Sequence, residues 1–109
     1  MFYLKEVQDA VNWERHRDLS DKSDEQLKVM AYAGLAEEAG EVLGILKREI
    51  RNYDKDKAVC THEHKIEELG DVLWYLALVC ITEGIPLEEV WDYNRVKLEA
   101  RYGRQSKET

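Results

Sequence analysis

Two short acidic segments carry the residues whose types and spacing could support chemistry. The first is Glu37-Glu38-Ala39-Gly40-Glu41 and the second is Glu67-Glu68-Leu69-Gly70-Asp71. In each segment two carboxylates stand three residues apart, and residues at that spacing project from nearly the same side of a helix. If the two segments lie on neighbouring helices, four carboxylates converge: Glu38, Glu41, Glu68 and Asp71.

The helical register places these acids beside apolar residues. At roughly 100° per residue, Glu38 lies within a stripe that also holds Ala31 and Val42. Glu68 lies beside Val72 in the same way. These acids are therefore expected to point toward neighbouring helices, although a solvated acidic face remains the alternative for either segment taken alone.

Converging carboxylates need a compensating partner, because buried charges that are left unpaired are strongly destabilising. Protons, basic side chains or a metal ion could supply it. Mg²⁺ prefers oxygen ligands and commonly takes a few carboxylates together with waters and substrate phosphates. Gly40 and Gly70 sit inside the predicted helices, where Gly costs roughly 1 kcal/mol relative to Ala. Their mirrored positions predict a close approach of the two helices at the acidic site.

The pair of motifs resembles the MazG-like, all-α nucleotide pyrophosphohydrolases. Their signature is a Glu-Glu-x-x-Glu segment followed by a Glu-x-x-Asp segment on the next helix, here residues 37–41 and 68–71. The resemblance extends over roughly Leu27 to Gly103. It includes the flanking Gly34-Leu35-Ala36 and Val72-Leu73-Trp74-Tyr75-Leu76, and a later segment with Asn94-Arg95-Val96-Lys97 and Arg101-Tyr102.

The resemblance implies cleavage of a nucleoside triphosphate between its α- and β-phosphates, with Mg²⁺ as cofactor and Mn²⁺ as a possible substitute. It implies that the metal ligands are Glu38, Glu41, Glu68 and Asp71. It also implies catalytic roles for Glu37 and Glu38, with Glu37 either supporting the metal ligands from behind or helping to orient the attacking water. The phosphate contacts would come from Asn94, Lys97 and Arg101.

Three functions are compatible with this resemblance. The first is hydrolysis of standard or non-standard nucleoside triphosphates to the monophosphate and pyrophosphate. The second is a related pyrophosphohydrolase activity on another nucleotide, such as phosphoribosyl-ATP or dUTP. The third is a helical interaction module without catalysis, and the intact set of four acidic residues argues against it.

Several other residues could have a functional role or a purely structural one. Trp13 could stack on a base, with packing in a core or interface as its alternative. The phosphate-contacting residues fall on one predicted inward-facing stripe of the last helix, with a partly exposed face as the alternative. Trp74 and Trp91 are predicted to be packing residues. A zinc site at Cys60, His62 and His64 is disfavoured because no second Cys/His cluster completes four ligands.

Local signals divide the chain into four helices. They are predicted at Leu4–Arg17, Asp24–Asn52, from an N-cap at Thr61 to Glu83, and Pro86–Tyr102. A capping box, Ser23 with Gln26, begins the second helix, and Gly84 and Gly103 end the last two. The fold class predicted is all-α, an antiparallel four-helix bundle-like domain spanning residues 1–109, in which residues 103–109 form a frayed tail.

The composition of the chain limits the classes of partner that it is expected to bind. The chain has 109 residues and a net charge of -7, so a general nucleic-acid footprint is not expected. The apolar run from Val72 to Ile81 is shorter than the roughly 20 residues that span a bilayer, so no membrane partner is expected. This run is apolar almost all round its helix, which predicts a homodimer or homotetramer. Two cysteines without a disulfide framework favour the cytoplasm.

Overall fold

The structure, a computed structural model, describes residues 4–51 and 61–103. Within these ranges the chain forms four helices and no strand, so the all-α prediction is confirmed. The helices are α1 (Leu4–Asp18), α2 (Asp24–Arg51), α3 (His62–Glu83) and α4 (Leu87–Tyr102). Three parts of the prediction lie outside the described residues: the end of the second helix at Asn52, the segment with Cys60 that precedes the Thr61 cap, and the tail beyond Gly103.

Hydrogen bonds between near neighbours in sequence set the helix ends. The Gln26 amide donates to Ser23 Oγ at 3.1 Å, and the Ser23 amide donates to Gln26 Oε1 at 2.9 Å. This is the predicted capping box. Thr61 Oγ1 accepts from the His64 amide at 3.1 Å, and Gly84 adopts the left-handed conformation with φ of 69°. Helix α4 begins one residue later than predicted, because Pro86 is its N-cap and lies outside the first turn.

The α2–α3 pair is antiparallel, and polar contacts tie both of its ends. At one end Lys65 Nζ lies 2.5 Å from Glu49 Oε2. At the other end the Tyr32 hydroxyl donates to the Glu83 carboxylate, and Lys28 Nζ lies 3.3 Å from Glu83 Oε1. Since residues early in α2 meet residues late in α3, the two acidic segments face each other near the middle of the pair.

Helix α1 packs against α3 and closes a small core. The core joins buried residues of all four helices: Val11, Leu27, Ala31, Ala77, Leu78, Cys80 and Leu87. Trp74 Nε1 donates to Glu14 Oε1 at 2.6 Å, and the Trp74 ring meets the Tyr75 ring edge-on. Both observations agree with the predicted packing role of Trp74. Cys80 is buried in the same core, where it behaves as a small hydrophobe.

Helix α4 turns away from α3 by 102° and makes its main contact with α1. Leu87 is the buried residue of this helix. Trp91 is 49% exposed, so it is not a core residue of this chain, and a packing role at an interface stays a prediction. The radius of gyration is 17.2 Å, against about 13 Å for a compact domain of this size. The projecting α4 contributes to this extended shape.

Within residues 4–51 and 61–103, no single helix is long and apolar enough to cross a bilayer. Helices α3 and α4 meet the length and composition requirement only when they are taken together as a pair bent by 102°.

The close approach of α2 and α3 occurs at Gly34, and the prediction that it occurs at Gly40 and Gly70 is wrong. A Cβ atom built at either of those positions would meet nothing within 4 Å in the described structure. A Cβ atom at Gly34 would lie 2.1 Å from Tyr75 Cε1. The Tyr75 ring therefore occupies the space that any larger residue at position 34 needs.

We expect Gly34→Ala to lower the free energy of unfolding by about 1–3 kcal/mol, because the Tyr75 ring must move to admit the methyl group. Gly40→Ala is the matched control, and it should leave stability unchanged or raise it by up to about 1 kcal/mol. Urea unfolding followed by circular dichroism measures both. Equal effects of the two substitutions would contradict the packing of Tyr75 on Gly34.

Candidate metal centre

Three carboxylates converge between α2 and α3. Glu38 comes from α2, while Glu68 and Asp71 come from α3, and one oxygen from each lies within 4.8 Å of the other two. Glu38 and Glu68 are half-buried, and Asp71 is exposed. Three carboxylate oxygens grouped this closely fit the donor set that a hard divalent cation such as Mg²⁺ prefers.

The surroundings of Glu38 in this cluster disfavour the ionised form of its carboxyl group. Its pKa is raised above the ordinary value, first by loss of solvation and then by the negative charges of Asp71, Glu68, Glu41 and Glu37. Both causes act against the ionised form. A bound cation would oppose both, since it replaces lost water contacts and neutralises the neighbouring charges.

The other two predicted acids lie at the edge of this cluster. Glu37 and Glu41 are both exposed, and neither belongs to the group of three that converges. Both are still near enough to raise the Glu38 pKa through their charges. The expectation that the acids point toward neighbouring helices therefore describes the half-buried Glu38 and Glu68, whereas Glu41 and Asp71 are solvent-exposed.

One basic residue near the acids was not predicted to lie there. His64 Nε2 is 4.0 Å from Glu68 Oε2, one helical turn away on α3. In the sequence His64 had been considered only with Cys60 and His62, as an alternative zinc site. Its i, i+4 spacing to Glu68 was the available signal, because residues at that spacing are neighbours on a helix surface.

The predicted phosphate-contacting residues lie on α4, away from the interior of this chain. Asn94, Lys97 and Arg101 are all exposed, so the prediction of an inward-facing stripe is wrong here. The reason is the 102° turn between α3 and α4, which swings most of α4 off the core. Asn94 and Lys97 line a shallow depression of about 360 Å³ that also includes Tyr93.

Trp13 lies near the C-terminal end of α1 and is 62% exposed. The Arg17 guanidinium lies 4.9 Å from the centroid of the Trp13 ring. Asp18 holds that guanidinium through two hydrogen bonds of 2.8 Å. Glu14, the residue that follows Trp13, accepts a hydrogen bond from Trp74. Trp74 lies on α3, three positions after Asp71. Trp13 is thus available as an exposed aromatic surface on the helix that packs beside the acid-bearing α3.

A helical domain in which carboxylates from two antiparallel helices meet at one point belongs to the class of candidate divalent-metal proteins. Residues 26–104 match the family model described as the MazG nucleotide pyrophosphohydrolase domain. The match covers well over half of the chain and includes both acidic segments. The chain therefore belongs to the MazG nucleotide pyrophosphohydrolase family.

One curated relative is similar to part of this chain. Gene 37 protein of Mycobacterium phage L5 is 39% identical over 74 residues. The aligned region is 65% of this chain and 62% of the relative, so the chain spans less than two thirds of that protein's length. No solved structure matches the chain.

The raised pKa of Glu38 predicts how the metal-free protein responds to pH. Because folding favours the protonated form, the Glu38 contribution to stability is present at low pH and is lost as pH rises through its folded-state pKa. In excess chelator, the melting temperature should therefore fall less between pH 4 and pH 7 for Glu38→Gln than for the wild type.

Glu67→Gln removes one exposed charge from the same acidic region and is the control. An identical pH slope in the wild type and Glu38→Gln would refute this origin of the pKa shift.

Proposed function

We propose that this protein hydrolyses a nucleoside triphosphate to the monophosphate and pyrophosphate with Mg²⁺ as cofactor. The observation that carries the proposal is the convergence of Glu38, Glu68 and Asp71 from two helices, at the positions of the family's acidic motifs. Mn²⁺ is expected to substitute, since carboxylate oxygens also suit that ion.

The acidic residues have two roles, holding the ion and handling the water, and Glu38 takes part in both. Glu38, Glu68 and Asp71 would hold the ion, and Glu41 would join them from the next turn of α2. Bound Mg²⁺ supplies charge neutralisation on the phosphate oxygens and assists ionisation of the attacking water. Glu37 would orient that water, and an unprotonated carboxylate such as Glu38 would accept its proton.

The substrate contacts are assigned to α4 and α1. Asn94 would donate hydrogen bonds to phosphate oxygens, while Lys97 and Arg101 would offset the negative charge of the polyphosphate. The chain carries a net charge of -7, so these cations are needed close to the phosphates. Trp13 would stack on the base, since its ring is exposed and sits on the helix that packs against α3.

The nucleotide panel that tests this proposal includes standard and modified nucleoside triphosphates, dUTP and phosphoribosyl-ATP. We expect pyrophosphate release from at least one of them that depends on Mg²⁺. Glu38→Gln and Asp71→Asn should each lower the rate by about 100-fold or more, because each removes charge stabilisation at the reacting centre. Activity on phosphoribosyl-ATP or dUTP alone would reassign the substrate class.

Glu67→Gln is the matched control for these variants, because Glu67 is exposed and lies beside Glu68 without joining the converging group. Its rate should stay close to that of the wild type. Far-ultraviolet circular dichroism confirms that each variant remains helical. An absence of turnover on every nucleotide, together with an absence of Mg²⁺ or Mn²⁺ binding by calorimetry, would instead favour a non-catalytic interaction module.

We also infer that the working form is a homodimer or homotetramer. Exposed apolar side chains form a row at helical spacing on each of the two longest helices: Leu43, Leu46 and Ile50 on α2, and Ile66, Leu69 and Leu73 on α3. Leu46 and Leu69 line the same cleft of about 220 Å³ between the helices. Apolar surface of this kind on a small domain favours self-association.

Light scattering coupled to size-exclusion chromatography should give the wild type twice or four times the mass of one chain. Leu46→Asp should shift the protein toward the monomer, because it places a charge in the apolar row without disturbing a buried residue. Lys47→Asp introduces the same side chain at the next exposed position and should leave the assembly intact. A wild type that is monomeric at micromolar concentration would overturn the inference.

A further inference from the structure

Gln8 of α1 bonds to both sides of the corner between α3 and α4. Its Nε2 donates to the Ile85 carbonyl oxygen at 3.0 Å. Its Oε1 accepts from the Leu87 amide at 2.8 Å. The two bonds join residues 77 and 79 positions apart in sequence, and together they satisfy the donor and the acceptor of one side-chain amide.

The N-terminus of α4 depends on this side chain because it lacks a capping side chain of its own. The N-cap is Pro86, which makes no side-chain hydrogen bond to the helix. The first amides of any helix have no partner within it and need an outside acceptor. Gln8 supplies that acceptor from α1, in the role that Ser, Thr, Asp or Asn at the N-cap usually performs.

Among the described residues, little else fixes the direction of α4. Its buried residue is Leu87 in the first turn, and the residues from Glu89 to Lys97 are all exposed. A groove of about 540 Å³ runs beside the corner and is lined by Gln8 and Ile85. The orientation of the helix is therefore determined mainly at its first turn.

A small change at this turn is amplified along the helix. Lys97 lies ten residues beyond Leu87, or about 15 Å along the axis at 1.5 Å per residue. A rotation of ~10° at the corner would move the backbone at Lys97 by about 2.6 Å. A displacement of this size exceeds the spread of hydrogen-bond distances, about 2.7–3.2 Å for an N–H donor, so a contact to a phosphate oxygen would be lost.

We propose that Gln8 is a positioning residue that fixes where α4 presents Asn94 and Lys97 to the polyphosphate. This inference rests on the proposed function, because it assumes that α4 contacts the substrate. The acidic cluster lies on α2 and α3, and Gln8 bonds to neither acidic segment. Loss of Gln8 should therefore weaken substrate binding while divalent-metal binding stays unchanged.

The first experiment compares Gln8→Ala with Asp9→Ala, in the full-length protein. Asp9 is the adjacent exposed residue, and its carboxylate pairs only locally, with Lys5 Nζ at 2.7 Å. We expect Gln8→Ala to raise the KM for the nucleotide about 10-fold, because the two hydrogen bonds that hold the first turn of α4 are lost. The kcat at saturating nucleotide and the calorimetric Kd for Mn²⁺ should change less than about 2-fold. Asp9→Ala should alter none of the three.

The second experiment tests whether Gln8 acts through α4. In a double-mutant cycle, Gln8→Ala should raise KM much less in a Lys97→Ala background than in the wild type. Gln8→Glu keeps the acceptor for the Leu87 amide and loses the donor to Ile85, so it should show an intermediate KM. Full additivity of Gln8→Ala and Lys97→Ala, or an altered Kd for Mn²⁺, would overturn the proposal.

Hydrogen exchange gives a readout that is independent of turnover. Gln8→Ala should accelerate exchange at the amides of Leu87 and Val90 while leaving the middle of α2 and α3 unchanged. Unchanged exchange at α4 would overturn the positioning role even if the wild type is active. A wild type that releases no pyrophosphate from any nucleotide would contradict the proposed function instead, and the exchange data would still report whether Gln8 holds α4.

Discussion

Mutual repulsion among Glu38, Glu68 and Asp71 is the constraint around which the α2–α3 pair is organised. Separation of the helices would relieve it, but it would break the ion pair of Lys65 with Glu49 at one end of the pair. Glu83 with Tyr32 and Lys28 ties the other end. The close contact of Gly34 with Tyr75 fixes the helix separation between these ties. The repulsion is therefore retained in the metal-free chain, where the loss of solvation and then this repulsion raise the Glu38 pKa, and a bound cation would convert the repulsion into binding energy.

The two parts of the candidate site differ in how firmly the rest of the chain holds them in place. The acids lie on the paired α2 and α3, whose separation is fixed at several points along their length. The proposed phosphate contacts lie on α4, which is fixed mainly at its first turn by Gln8 and Leu87. Because metal ligands must keep short and definite distances, the rigid pair suits the ion, whereas the more freely held helix suits a substrate that enters and leaves.

The features that could be predicted from the sequence are those decided by near neighbours in the chain. The Ser23–Gln26 capping box, the Thr61 cap and the left-handed Gly84 involve partners within a few residues, so their outcome does not depend on tertiary packing. The convergence of Glu38, Glu68 and Asp71 was also predictable, since helical periodicity placed Glu38 and Glu68 beside apolar residues, whereas Glu41 was predicted to join them and lies outside the group. Which glycine allows the helices to approach was not, because Gly34, Gly40 and Gly70 all sit in helices and only the contact with Tyr75 distinguishes them. The direction of α4 depends on Gln8, almost eighty residues away, and no local pattern encodes that.

The exposed apolar rows and the outward-facing residues of α4 have a common origin. Helices of 28 and 22 residues present more apolar surface than the 15-residue α1 can cover, and α4 turns away instead of covering the remainder. Leu46 and Leu69 on the pair, and Val90 and Val96 on α4, are consequently left in solvent. In the proposed homo-oligomer this surface is buried between chains, so the stability of the acid-bearing pair is linked to assembly and hence to protein concentration. Dilution should then weaken the packing around the acids before it affects the capping bonds within each helix, because the former depends on the neighbouring chain and the latter do not.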